Sequence, residues 1–367
     1  MKLTLHKTTW IAALNATFPA AGTDRGNAAS SPGAKIVVRN RRASVTTTNG
    51  AISIREIVAA PESQDGEVLI PATTLRSYVA AMPDGPVTLT FEANKATVTA
   101  GATTMPVPVI DIATFPTVTF PTEEGVVMEA ARFVAALTQV TPSASTDQAR
   151  QVLTGVLLKW STEGFEVVAT DSTRLAKKVV AGDSVLPDGT TIVAPAKELA
   201  AAGKLIANSG TVNVFLGTHA LTLSTPERRV MVRLIQGSYP HYAPVLAGTE
   251  NTVALVAKAD LVAAVHRGGM VSATDGGTAV KVGFNVEAGT VTISAAGGNT
   301  PTIDELVAKI SGENITLGFN ATMLEQVIGQ IDSTLIRVSF DGATRPVRFT
   351  DELAQSGLTQ VLMPVRI

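Results

Sequence analysis

The 367-residue chain contains no cysteine, which excludes disulfides, thiolate metal sites and cysteine nucleophiles, and is compatible with a reducing cytoplasm. Aromatic residues make up only 4%, too few for a repeated stacking platform on unpaired bases. The four histidines, His6, His219, His241 and His266, lie far apart without metal-ligand spacing, so neither a metal nor a cofactor is expected. Long apolar runs are missing too. None reaches the roughly 18 residues of a membrane-spanning helix, and Thr8, Thr9, Asn15 and Thr17 interrupt the N-terminal apolar patch, so neither a span nor a secretion signal is expected. Nor is there a basic excess. The formal net charge is -2, which argues against holding nucleic acid by bulk attraction and leaves local or topological contact.

Catalytic signatures are equally scarce. Gly276-Gly277 and Gly297-Gly298 lack the lysine and helix start of a phosphate loop and read as hairpin turns. Asp171 in Thr170-Asp171-Ser172 has no nameable partner carboxylate and reads as a structural turn.

What the chain does have is apolar material, 45% hydrophobic against 16% charged residues, enough for globular cores. It also has an internal repeat. Trp10-Ile11-Ala12-Ala13-Leu14, Phe133-Val134-Ala135-Ala136-Leu137 and Leu261-Val262-Ala263-Ala264-Val265 share one pattern at spacings of 123 and 128 residues. Pro71-Ala72-Thr73-Thr74-Leu75, Pro195-Ala196-Lys197-Glu198-Leu199 and Asn320-Ala321-Thr322-Met323-Leu324 recur in step, their final leucines 124 and 125 apart. Phe120 to Gly125 and Leu246 to Asn251 have linker composition. Three domains are expected, at 1–122, 123–249 and 250–367.

Both patterns predict helices, since Ile11, Leu14 and Phe18, or Phe133, Leu137 and Val140, follow helical spacing. Their surroundings alternate with period two, as in Val87, Leu89 and Phe91, in Val212, Val214 and Leu216, and from Leu335 to Phe340. Turn residues follow at Asn49-Gly50, Pro83-Asp84-Gly85, Asp188-Gly189 and Asp341-Gly342. Two short helices per domain among many strands make an α+β class. Lys7, Arg76, Arg132, Lys197, Lys204, Lys258 and Arg267 lie on or beside the six predicted helices and outnumber Glu129, Glu198, Asp260 and Glu325 there.

Four stretches carry a family likeness. Arg150 to Val156, Ala169 to Ala176, Gly237 to Tyr242 and Val361 to Ile367 resemble, in order, segments of the bacterial DNA polymerase III sliding clamp, or beta clamp. The first domain is less typical, particularly across Asn40 to Glu56. The resemblance implies tandem similar clamp domains with helices lining a pore, outer antiparallel sheets and a head-to-tail homodimeric ring. It implies a non-catalytic processivity factor that encircles duplex DNA in the cytoplasm and serves the polymerase III catalytic subunit, the clamp loader and other clamp-binding-motif proteins.

By position, the resemblance adds Arg25 and Arg150 to the helix-borne Arg76, Arg132, Lys197, Lys204 and Arg267 as DNA contacts. Phosphate contact of that kind is sequence-independent and permits sliding. It also implies a partner-peptide pocket made of Leu153, Thr170, Ser172, Thr173, Arg174, Leu175, Pro240, Val245, Asn320, Met323, Pro346, Val361, Met363, Pro364, Val365 and Arg366. Leu153, Leu175, Val245, Val361 and Met363 suit an apolar anchor, and Arg174 and Arg366 suit carbonyls or acids. Ser172-Thr173 replaces the family's usual glycine and aromatic or histidine, and Pro244 stands where a basic residue is frequent. A specialised or duplicate clamp with altered partners or inhibitor binding is therefore the alternative.

Overall fold

The computed structural model describes residues 1–22, 31–123, 125–182, 185–274, 276–295 and 302–366. In chain order, the first third runs β1 (Lys2–His6), α1 (Lys7–Thr17), β2 (Ser31–Arg39), β3 (Arg42–Thr48), β4 (Ile52–Ala59), β5 (Gly66–Pro71), α2 (Ala72–Ala81), β6 (Pro86–Glu92), β7 (Lys95–Ala100) and β8 (Thr103–Val107). The middle third runs β9 (Val126–Glu129), α3 (Ala130–Val140), β10 (Gly155–Ser161), β11 (Gly164–Thr170), β12 (Arg174–Ala181), β13 (Thr191–Pro195), α4 (Ala196–Ile206), β14 (Thr211–Leu216), β15 (Ala220–Ser224), β16 (Arg228–Arg233) and α5 (Ala243–Leu246). The last third runs β17 (Thr252–Ala257), α6 (Lys258–Thr274), β18 (Ala279–Asn285), β19 (Thr290–Ala295), β20 (Thr302–Ser311), β21 (Ile315–Asn320), α7 (Ala321–Gly329), β22 (Leu335–Phe340), β23 (Val347–Asp351) and β24 (Leu358–Leu362).

The six helices expected from the repeat are α1, α2, α3, α4, α6 and α7. The first and fourth letters of the first pattern, and the closing leucine of the second, are core positions. Trp10, Phe133 and Leu261 are buried at equivalent places, as are Ala13, Ala136 and Ala264, whose small side chains permit close approach of the helix backbone. Leu75, Leu199 and Leu324 do the same for the second helix of each pair. Local chemistry sets some ends: the Asn320 side chain caps α7 by accepting the Met323 N–H at 3.0 Å. At the far end of α6, Gly276 takes φ 71° and donates to Ala273 O, while Gly277 donates to Ser272 O. Gly276-Gly277 is thus a helix C-terminal closure, not a hairpin turn, because a left-handed glycine there satisfies the last carbonyls. Gly297-Gly298 lies outside the described residues.

The chain forms two compact units, Met1–Val134 with Lys197–Leu234, and Ala135–Ala196 with Ile235–Ile367. The first holds a four-stranded sheet, β1-β6-β7-β8, and an eight-stranded one, β5-β2-β3-β4-β16-β15-β14-β9. Its core packs Trp10 and Leu14 of α1 and Leu75 and Val79 of α2 against sheet residues including Ile36, Val45 and Leu89, with the Trp10 indole N–H donating to Val87 O at 3.1 Å. The second unit holds one twelve-stranded sheet, β13-β10-β11-β12-β24-β23-β22-β17-β20-β19-β18-β21.

Each large sheet is continued by one antiparallel pairing between distant parts of the chain, β4 with β16 in the first unit and β12 with β24 in the second. In the first, Arg228 on β16 makes a two-oxygen ion pair with Glu56 on β4, at 2.6 and 3.1 Å, and also donates to the Leu205 carbonyl. Both side chains are largely buried, so removing one partner leaves the other's charge poorly solvated. Glu56→Ala is expected to destabilise the first unit by about 1–2 kcal/mol, allowing for partial solvent screening. Urea unfolding followed by intrinsic fluorescence measures this.

Candidate functional site

The partner-peptide set converges in the second unit. Leu175 lies opposite Thr170 across the β11–β12 hairpin and opposite Val361 on β24. Leu175 and Val361 are buried with Leu157, Val168 and Val193, and Val152, Ile235, Tyr239, Tyr242, Val245 and Leu246 pack against them partly exposed. An apolar floor with a half-open aromatic and aliphatic wall can bury a leucine or aromatic side chain of an incoming peptide.

The rim is polar and tightly tied. Asp171 Oδ1 accepts the backbone N–H groups of Thr173 and Arg174, both at 2.9 Å, and Oδ2 pairs with Arg174 Nε at 3.0 Å. Asp171 is thus a turn-former, as expected. Ser172 sits at φ 84°, a left-handed conformation that costs a non-glycine residue about 1 kcal/mol or more. The Ser172 N–H reaches Thr170 Oγ1 at 3.2 Å, and its hydroxyl accepts from Arg150 Nη1 at 2.8 Å. Thr173 accepts the Met363 N–H through its carbonyl at 2.8 Å and donates its hydroxyl to Asp171 Oδ1 at 2.6 Å, with Met323 Sδ 3.7 Å from the same oxygen. Arg174 also holds Gln326 on α7, so hairpin, helix and C-terminal segment are mutually fixed.

The remaining members lie at the edges of this frame. Val365 donates to Gly318 O at 2.8 Å, which ties the chain end to β21. Pro364 is half-buried, Arg366 and Pro240 are exposed, and half-buried Pro346 immediately precedes Val347, which faces Leu362. Pro244 is exposed in the first turn of α5, where a missing N–H is tolerated.

Sequence reasoning named Leu153 for the apolar floor, and its neighbour Val152 packs against that floor partly exposed. The 3-10 stretch Gln148–Thr154 is broken at Arg150, with φ -112° and ψ 61°. Leu153 is buried, its carbonyl taken by the Ser145 N–H. Sequence reasoning also missed Tyr239 and Tyr242. Tyr242 donates to Glu166, which pairs with Lys177 at 2.7 Å. Burial pushes the Tyr242 phenol up, and the Glu166 carboxylate adds to the rise. Burial pushes Tyr239 up as well, opposed by the Thr170 amide, which stops short of hydrogen-bond geometry. Both phenols therefore act as neutral wall residues. The signal was present in the Tyr-Pro-His-Tyr run itself.

The expected DNA contacts divide between the units. In the first, Lys197 and Lys204 on α4 and Arg132 on α3 are exposed. Arg76 on α2 lies over the Phe18 ring at 4.4 Å and donates to Asn15 at 2.8 Å. Lys7 is turned to Met82 O and Asp84. In the second, Arg150 is held by Asp147 and Ser172, Lys258 by the Gly329 and Ile331 carbonyls, and Arg267 by a two-oxygen pair with Asp304 at 2.7 and 3.2 Å. Arg150 thus bonds, from the Gln148–Thr154 stretch, to the β11–β12 hairpin that rims the candidate groove. Arg25 lies outside the described residues. Also among the described residues, no His, Asp and Glu cluster suits a metal ion, and no helix is long and apolar enough to cross a membrane.

Three family models match consecutive stretches of the chain: DNA polymerase III beta subunit, N-terminal domain over residues 1–119, central domain over 127–241 and C-terminal domain over 245–366. The chain belongs to the DNA polymerase III beta subunit family. Its relatives include the beta sliding clamps of Streptomyces coelicolor, 26% identical over 336 residues with 88% of each chain covered, and of Caulobacter vibrioides, 27% identical over 317 residues with 82% of this chain and 83% of the relative covered. Among solved structures, the beta subunit of Pseudomonas aeruginosa superposes with a TM-score of 0.91 at 20% identity over the whole of both chains. The sliding clamp of Bacillus subtilis gives 0.91 at 22%, covering 100% of this chain and 99% of that one. The fold is therefore the three-domain α+β clamp fold, and the family's role is that of a non-catalytic processivity factor of DNA polymerase III.

Proposed function

We propose that two copies of this chain close head to tail around duplex DNA and slide along it, tethering the polymerase III catalytic subunit and other clamp-binding-motif proteins through the groove of the second unit. The match of all three beta-subunit domains, in order along the chain, carries the reading. Domains at 1–122, 123–249 and 250–367 belong to this proposal, as do a clamp loader that opens the ring and a cytoplasmic place of work.

Unpaired strand edges support the closure. β8 ends the four-stranded sheet of the first unit, and Pro106, which has no N–H to donate, suits such an edge. In the second unit, among the described residues, the Thr302–Val307 half of β20 pairs only with β19, while β17 takes Ala308 to Ser311. Ile303 and Val307 stand exposed there, at 71% and 88%. An edge strand with exposed apolar side chains invites strand addition, and two different edges on one chain give a heterologous joint that closes when repeated.

DNA contact falls to the helix-borne cations. Lys197 and Lys204 form no ion pair among the described residues, whereas Asp304 neutralises Arg267. Such contacts attract phosphate without reading bases and weaken as salt rises.

Partner capture has its own test. Met363→Ala trims a half-buried, adaptable side chain beside the Leu175–Val361 floor, and is expected to weaken binding of a labelled leucine- and phenylalanine-containing peptide by about tenfold. The particle mass should not change. Unchanged affinity in fluorescence polarisation would reject this groove as the capture site.

A further inference from the structure

The β12–β24 pairing that floors the peptide groove has a counterpart in the first unit, the β4–β16 pairing, and the two correspond position by position. Ser53 faces Thr48 across its hairpin and Met231 on the next strand, as Leu175 faces Thr170 and Val361. The hairpin tips share one backbone state, with Gly50 at φ 88° and Ser172 at φ 84°. Phe115-Pro116 stands 124 residues before Tyr239-Pro240, the period of the repeat. At this counterpart a cavity of about 290 Å³ opens, with Thr48, Ser53, Pro116, His219, Met231 and Arg233 in its lining.

The frame is shared but the chemistry is not. Leu157 and Val168, paired beneath the peptide groove, are replaced by Lys35 and Thr46, paired in the same row. Leu175 is replaced by Ser53, whose hydroxyl bonds to Thr48 at 2.8 Å. A leucine anchor would find no apolar floor here.

Cations take its place. Arg55 lies opposite Arg229 across the β4–β16 pairing, and Arg233 follows on the same face, opposite Ala51 on the hairpin tip. Arg55 occupies the position of Lys177, but Ser44 stands where Glu166 neutralises that lysine. Arg55 instead stacks on Phe120 at 4.7 Å and donates to Thr46 at 3.1 Å, and Arg229 reaches Pro121 O at 3.3 Å. Burial, and after it the neighbouring Arg229, hold the Arg55 pKa below its ordinary value. Among the described residues no carboxylate side chain lines the cavity, and Arg233 is exposed without an ion pair.

We propose that this groove binds an acidic peptide segment in extended form, with one carboxylate on Arg233 in the cavity lining, small side chains against Met231 and Pro116, and a second carboxylate directed along the same strand face toward Arg229, outside the cavity. The proposal rests on reading the second-unit groove as a peptide site, whose frame it shares. A clamp would then hold two linear segments of opposite character, an apolar one and an acidic one.

The full-length protein is titrated with a fluorescein-labelled Gly-Glu-Asp-Glu-Glu-Gly peptide, its Gly-Gln-Asn-Gln-Gln-Gly counterpart, and the leucine- and phenylalanine-containing peptide. Arg233→Glu is expected to weaken the acidic peptide by about tenfold, with Arg233→Lys restoring most of it, while the apolar peptide is unaffected. Met363→Ala is expected to do the reverse. The proposal is overturned if the glutamine peptide binds as well as the acidic one, if Arg233→Glu has no effect, or if a single-stranded oligonucleotide binds in an Arg233-dependent way and the acidic peptide does not. An apolar peptide indifferent to Met363→Ala counts against the second-unit groove, and the Arg233 arms still decide the acidic one.

Discussion

The double variant Ile303→Lys with Val307→Lys is expected to run as a folded monomer of 37.9 kDa, where the parent runs at twice that mass. Both side chains project from the half of β20 that has no strand on its outer edge among the described residues, and both are exposed in the single chain, at 71% and 88%. The substitutions should therefore change the stability of the isolated fold by no more than about 0.5 kcal/mol. In the closed ring the same positions would be buried at each joint, where burial of one aliphatic side chain contributes about 1.5–3 kcal/mol and an unpaired ammonium is strongly disfavoured. Two such positions per joint predict a weakening of the joint by about 1,000-fold or more. Light scattering coupled to size exclusion reads the mass, and circular dichroism checks that the monomer is folded. A variant that remains dimeric would move the joint away from β20.

Leu175→Ala should have the largest combined effect on stability and peptide capture. Leu175 is 2% exposed and touches the floor from the centre of the sheet, between Thr170 on β11 and Val361 on β24. Truncation removes buried methyl groups and leaves a cavity that the paired strands can only partly close, costing about 2–4 kcal/mol. The same cavity lowers the floor on which a peptide anchor would rest, so capture should fail even at temperatures where the variant is folded. Thermal unfolding and fluorescence polarisation on the same sample separate the two effects. Lowered stability with intact peptide affinity would place the anchor elsewhere, on the Tyr239 and Tyr242 wall.

Much of this was legible in the sequence because the repeat writes the core. Trp10, Phe133 and Leu261, with Ala13, Ala136 and Ala264, recur where each domain needs a large side chain and a close helix approach, and all six are buried. Strand faces such as Val87 and Leu89 followed from simple alternation. The site was less legible, for reasons that are local. The chain breaks from helical geometry at Arg150 and packs Val152 against the floor, and no spacing rule encodes that break. Arg267 reads as a free helix cation until Asp304, 37 residues away, is seen to pair with it. Arg150 reads as a phosphate contact, yet it bonds to Ser172 on the β11–β12 hairpin. Such pairings depend on tertiary register, which period and composition do not contain.

The central claim is topological: the chain holds DNA by enclosing it. The most direct measurement loads the protein onto nicked circular duplex with a clamp loader, then compares retention before and after the circle is linearised. Retention on circles with rapid loss from cut ends is the predicted result, and the Ile303→Lys, Val307→Lys variant should be lost from both. Binding that is indifferent to cutting would contradict the account, because a protein held by surface contacts alone has no reason to notice an end.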